Sequence, residues 1–209
     1  MENLSNIGNS QFEFERAVLE ALREPMEQGS ITISRAMEQI DFPSRFQLVA
    51  AMNPCPCGYL GHPSGKCHCT PDQIQRYRSK ISGPFLDRMD MRIEMPAIPF
   101  EDLKSQDSGE SSEIMRLRVE AARQIQLDRQ GKANSLLDAK ETEKYCLPEQ
   151  EGDALIRRAI ASLSLSARAY HGVRRMARSI ADLDGKTTLT REHVAEAIQY
   201  RRFDAWLAK

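Results

Sequence analysis

Apolar residues recur along this chain with two different periods, and the change from one to the other divides it. Phe14, Val18, Ala21, Leu22 and Met26 return at helical spacing, which predicts an amphipathic helix over residues 12–27 that ends near Gly29. Residues 31–34 alternate as a short strand, and Asp41-Phe-Pro43 marks a turn. Residues 46–52 form a continuous apolar run, the pattern of a buried strand in a parallel sheet. Pro71-Asp72-Gln73 opens a helix predicted to reach about residue 82, where Gly83-Pro84 breaks it. Residues 85–88 form a tight segment feeding a strand over 91–95.

Beyond this point the period is helical throughout. Residues 104–112 hold no large apolar side chain and read as a linker. Helices are expected at about 113–130, 149–162, 166–182 and 191–202. Thr190 is placed to cap the last one, with Glu192 favourable in its first turn. The chain therefore reads as an incomplete α/β piece over residues 12–103 followed by an all-α part over 113–209. Residues 1–11 are Asn/Ser-rich and unpatterned, and read as a linker or cloning remnant.

Composition narrows the function classes. Of 209 residues, 28% are charged and 41% hydrophobic, an ordinary balance for a globular protein and wrong for a disordered one. The formal net charge of -1 supplies no global attraction to nucleic acid or membrane, so any such binding needs a local basic patch. No apolar run approaches the ~20 residues of a membrane helix, so a cytoplasmic protein without a membrane partner is expected.

The cysteines carry the sharpest local chemistry. Cys55, Cys57, Cys67 and Cys69 form two Cys-x-Cys pairs within the loop 53–70, among Gly58, Gly61 and Gly65. In a reducing compartment this is no disulfide framework. Four thiolates suit a closed tetrahedral zinc site with a structural role. His62 and His68 are spare ligands, so a three-cysteine, one-histidine set stays open, as do an iron–sulfur cluster and plain reduced thiols. Cys146 stands alone in a helical context and reads as a small buried apolar residue.

Signals for nucleotide chemistry are partial. Gly185-Lys-Thr187 resembles the end of a phosphate-binding loop, but Ile180 stands where that motif needs glycine, and a helix precedes it. Nor does an apolar strand end in Asp-Glu to hold magnesium, so this chain alone is not expected to bind ATP tightly. Asn53 ends the apolar run 46–52, where a strand would deliver its amide to a sheet edge. Arg88 lies between Asp87 and Asp90, and serves either as a local ion pair or as an arginine offered to a neighbouring subunit's phosphate. Arg168 opens a helix, where anions are favoured.

The segments Glu13-Phe-Glu-Arg-Ala-Val-Leu-Glu-Ala-Leu-Arg-Glu-Pro25, Ile31-Thr-Ile-Ser-Arg-Ala36, Phe42-Pro-Ser-Arg-Phe-Gln-Leu-Val-Ala-Ala-Met-Asn-Pro-Cys-Pro-Cys-Gly58, Ile81-Ser-Gly-Pro-Phe-Leu-Asp-Arg-Met-Asp90 and Ser166-Ala-Arg-Ala-Tyr-His171 together resemble the second half of a AAA+ ATPase of the magnesium-chelatase superclade, nearest the ComM/YifB family. The resemblance runs from Phe12 to Phe203. It implies a partial AAA+ core with late strands only, then a helical lid. It also implies that Asn53 is the sensor-1 residue, Arg88 an arginine finger acting in trans, and Arg168 the sensor-2 arginine. The hairpin around residues 31–42 would match the pre-sensor-1 insertion, with Arg35 the side chain to watch.

The family's Walker A and Walker B lie upstream of Phe12, so the resemblance implies an excised C-terminal piece that is inactive alone. ATP and magnesium would belong to the intact parent, a hexameric homo-oligomer. Three functions follow: a motor acting on DNA by branch migration, a chelatase-type or protein-remodelling motor, and a zinc-stabilised interaction module. A phosphate-binding loop encoded upstream would refute the last.

Overall fold

A computed structural model describes residues 15–35, 38–98, 109–163 and 166–201. The 1–11 segment, most of the 104–112 linker and the Arg35 side chain lie outside what it describes. The chain separates into two compact units, one of residues 1–61 and 65–88, the other of residues 62–64 and 89–209.

In the first unit the expected N-terminal helix is two short ones, α1 (Arg16–Ala21) and α2 (Arg23–Gln28). Pro25 explains the break at Leu22, because its ring has no N–H to give the Ala21 carbonyl and crowds it. Gly29 then ends α2 with φ 67°, its N–H bonding Pro25 O at 2.9 Å. A Cβ there would sit 3.0 Å from Arg45 Cγ, so glycine also admits the Arg45 stem.

Strands β1 (Ser30–Arg35) and β2 (Glu38–Pro43) pair antiparallel, so the expected turn at 41–43 is instead strand. The register sets Ile31 opposite Phe42 and Ile33 opposite Ile40, which gathers four apolar side chains on one face. On the other face Thr32 donates its hydroxyl to Asp41 at 2.6 Å.

The strands expected at 46–52 and 91–95 are corrected. Both segments lie outside helix and ladder, and among the described residues the sole sheet is β1–β2. A strand buried on both faces needs neighbours to pair and cover it. Lacking them, Val49 is 78% exposed and Met95 83%.

Helix α3 (Pro71–Arg78) is shorter than expected. Gly83-Pro84 does not merely break it but starts one turn, α4 (Gly83–Leu86), capped by the Ser82 hydroxyl accepting from Phe85 N–H at 3.2 Å. Phe85 on that turn is buried.

The second unit is helical: α5 (Ser112–Gln130), α6 (Ala139–Tyr145), α7 (Gln150–Leu163), α8 (Ala167–Leu183) and α9 (Arg191–Gln199). Helix α8 touches the other four. Its apolar positions recur at helical spacing, so Val173, Ala177 and Ile180 meet Ile156 and Ala159 of α7 and Val194, Ala197 and Ile198 of α9 in one cluster. Burying a side chain the size of Ile156 is worth about 1.5–3 kcal/mol.

Within this unit a polar lock crosses the helices. The Asp182 carboxylate, fully buried, accepts from Arg129 at 2.5 and 2.9 Å, from Arg178 at 3.1 Å and from Asn134 at 2.8 Å. The Arg178 side chain, 4% exposed, also donates to the Thr187 carbonyl at 2.7 Å. Among the described residues no helix is long and apolar enough to cross a membrane.

Candidate metal centre and arginine sites

Two turns fold the cysteine loop back on itself. Gly58, with φ 79°, sends its N–H to the Cys55 carbonyl at 3.0 Å, and so brings Cys57 beside Cys55. Cys69 is followed at once by the cap of α3, where the Thr70 hydroxyl accepts from Gln73 N–H at 3.3 Å and Gln73 accepts from Thr70 N–H at 2.9 Å. From the far end of α3, Arg78 donates through Nε and Nη2 to the Pro54 carbonyl, each at 3.4 Å. Helix α3 thus holds both ends of the loop.

The result is a thiol cluster. Cys55 Sγ lies 3.3 Å from Cys57 Sγ and 3.8 Å from Cys67 Sγ, and Cys57 to Cys67 spans 3.7 Å. All four sulfurs lie within 4.8 Å of one another, and the cysteines are free rather than disulfide-bonded. A tetrahedron with zinc–sulfur bonds of about 2.3 Å has edges of about 3.8 Å, so the spacing fits a four-thiolate zinc site. The ligating group among the described residues consists of the cysteines, with His68 outside it. His62 is engaged with the Ser64 hydroxyl at 2.8 Å.

The thiols do not titrate alike. The Tyr59 backbone hydrogen bond, then Cys55, lower Cys57 to about 6. Cys69 feels the opposing effect of a backbone hydrogen bond at Cys57, yet hydrogen bonding to the Cys57 sulfur and burial push it up to about 12. One thiolate forms readily and its charge suppresses the next. A divalent cation removes that conflict, since it lets all four sulfurs ionise.

Asn53, exposed, enters this loop beside Gly58, whose Cβ position would lie 3.7 Å from the Asn53 amide carbon. Arg88 is nearly buried, its side chain 9% exposed. It donates to the Glu27 carboxylate of α2 at 2.6 Å and to the Pro84 carbonyl at 2.6 Å. Burial, then Arg23, lower its pKa. A carboxylate therefore occupies the place of an anion on this arginine.

Arg168 belongs to the other unit, exposed in the first turn of α8. The Ser166 hydroxyl caps that turn by accepting from Ala169 N–H at 3.1 Å. An arginine here opposes the helix dipole, an effect of typically ~0.3–1 kcal/mol. Cys146 is fully buried, and burial raises its thiol to about 11, consistent with a core residue.

Sequence reasoning missed three groups. Asp182 and its partners went unforeseen, although Arg178 and Asp182 stand at i, i+4. Asp90, two residues past Arg88, pairs with the buried Arg201 at 2.9 Å, and the Arg92 N–H bonds the Tyr200 carbonyl at 2.9 Å. Glu27 is separated from Arg88 by 61 positions, and nothing local links them.

Two family models match the chain: magnesium chelatase, subunit ChlI, over residues 9–103, and magnesium chelatase, subunit ChlI C-terminal, over residues 109–201. Competence protein ComM of Haemophilus influenzae is 47% identical over 199 residues, 94% of this chain and 38% of that protein. The uncharacterized protein YifB of Escherichia coli is 46% identical over 197 residues, 93% of this chain and 38% of YifB. An uncharacterized protein of Mycobacterium tuberculosis is 34% identical over 197 residues, 92% of this chain and 39% of its own. The chain thus spans about two fifths of the length of the curated relatives it matches.

Proposed function

The chain belongs to the ComM/YifB family of magnesium-chelatase-like proteins, and from that premise we propose that it is the C-terminal portion of an ATP-driven AAA+ motor that remodels DNA. The observation that carries the reading is similarity along nearly the whole chain to a protein named for competence. The unpaired segments 46–52 and 91–98 support it, because their exposed Val49, Ile93 and Met95 call for a larger sheet than β1–β2. The whole protein then works in the cytoplasm as a hexameric ring, with ATP and magnesium bound by parts other than the residues described.

ATP supplies the phosphoanhydride bond when bound. The Asn53 amide orients the attacking water through its oxygen. Arg88 exchanges Glu27 for the phosphate of a neighbouring subunit, one anion for another, and stabilises charge developing there. Arg168 holds phosphate from the start of α8 and so couples nucleotide state to the position of the helical lid. The four cysteines would hold zinc, which would cross-link the loop next to Asn53 and supply a structural tie rather than chemistry.

The test is turnover of the full-length protein under ring-forming conditions. Arg88→Ala is expected to lower kcat by about 10³ or more, the usual worth of such an arginine. Unchanged turnover would sink the assignment. The family model's name favours a second reading, a chelatase-type or protein-remodelling motor. ATPase activity indifferent to single-stranded or forked DNA would select it.

A further inference from the structure

Beside the thiol cluster lies an open groove of about 480 Å³, between the cysteine loop and helix α3. Pro56, Cys57 and Cys69 form one wall, and Gln73, Arg76, Tyr77 and Lys80 the other. The second wall follows i, i+3, i+4, i+7 spacing, so these four side chains make one stripe along α3 and the turn after it. Arg76 and Lys80 are exposed, and Lys80 Nζ stands 6.0 Å from the centre of the Tyr77 ring. Among the described residues, no carboxylate lines the groove.

We propose that this groove binds single-stranded nucleic acid, with Arg76 and Lys80 on phosphates, Tyr77 stacked on a base and Gln73 donating its side-chain Nε2 to a base edge while its oxygen goes on capping α3. The inference rests on the DNA reading above and names the contact surface for it. An aromatic ring between two cations is what a strand of alternating phosphates and flat bases requires. Four thiolates on a divalent cation carry a net charge of about -2, which Arg76 and Lys80 could serve to neutralise. Neutralisation accounts for the two cations but does not call for an aromatic ring set between them in the same stripe. An acidic peptide would use the cations and likewise has no use for the ring.

The experiment measures fluorescence anisotropy of a labelled oligothymidylate of about 20 nucleotides with the zinc-loaded 209-residue chain, across a salt series. Tyr77→Ala should weaken binding about tenfold. Arg76→Gln with Lys80→Gln should lower the slope of log affinity against log salt by about 1.4, two phosphate contacts at ~0.7 each. The same neutralisation at Lys140 and Lys144 of α6 should leave the affinity unchanged. Zinc content and circular dichroism of each variant show that the fold is kept.

Three results would overturn the proposal: groove variants that bind as well as the parent chain, loss of zinc affinity with oligonucleotide binding intact, or equal binding of polyglutamate. Should oligothymidylate fail to bind while DNA still stimulates the full-length ATPase, the groove falls and the DNA reading stands. If DNA neither binds nor stimulates, both fall.

Discussion

Replacing Asp182 by asparagine should unlock the helical unit more severely than any surface change. The carboxylate is fully buried and receives hydrogen bonds from Arg129, Arg178 and Asn134. Asparagine keeps the shape but deletes the charge, and its amide points N–H groups at donors. Arg178, 4% exposed, then holds a buried cation without its counter-ion. Breaking a buried pair in this way costs about 3–5 kcal/mol. Arg129 is 23% exposed and partly served by water, which favours the lower end, about 3 kcal/mol. For a unit somewhat over 100 residues ~1 kcal/mol shifts Tm by about 3–5 °C, so a fall of at least about 9 °C is expected. The assay is urea and thermal unfolding of the whole chain followed by circular dichroism at a helix wavelength. Arg129→Met, which leaves Arg178 paired, should cost clearly less. A loss under about 1 kcal/mol for Asp182→Asn would refute the claim that this carboxylate locks the helices.

Other outcomes follow from the same geometry. Gly172→Ala places a Cβ 2.9 Å from Arg201 Cζ, so it should displace the Arg201–Asp90 pair and speed hydrogen exchange at the Arg92 amide, at a net stability cost under about 1 kcal/mol because alanine favours helix α8. Glu141 is held below its ordinary value, first by hydrogen bonding to Lys132 and then by the Asp138 backbone. A depressed carboxylate contributes stability above its unfolded value of about 4.3 and loses it as pH falls through the lower folded value. Acid unfolding between about pH 5 and pH 3 should therefore flatten in Lys132→Gln, and an unchanged profile would contradict the pairing. Purified chain should hold one equivalent of zinc, lost in Cys55→Ser and Cys69→Ser, while Cys146 should label with iodoacetamide only after unfolding.

What could be read from the residues alone was local. The Cys-x-Cys pairs and their glycines announce a thiol cluster because ligands two residues apart must meet when a turn lies between them. Thr190 precedes helix α9, and an N-cap acts within three residues. Helix α6 was missed although Asp138 and Glu141 spell a capping box, because its seven residues are too few to show a period. The strands expected at 46–52 and 91–95 failed for a different reason: apolar runs report what a segment would bury, and pairing depends on partners elsewhere. The Arg129–Asp182 and Glu27–Arg88 pairs, 53 and 61 positions apart, leave no periodic trace.

The proposed function requires that the nucleotide chemistry of the full-length protein answer to DNA. ATPase turnover of the full-length protein, measured with and without single-stranded DNA under ring-forming conditions, tests this most directly. Turnover should rise on adding DNA and collapse in Arg88→Ala with or without it. Turnover that is the same in the presence and absence of DNA would contradict the account.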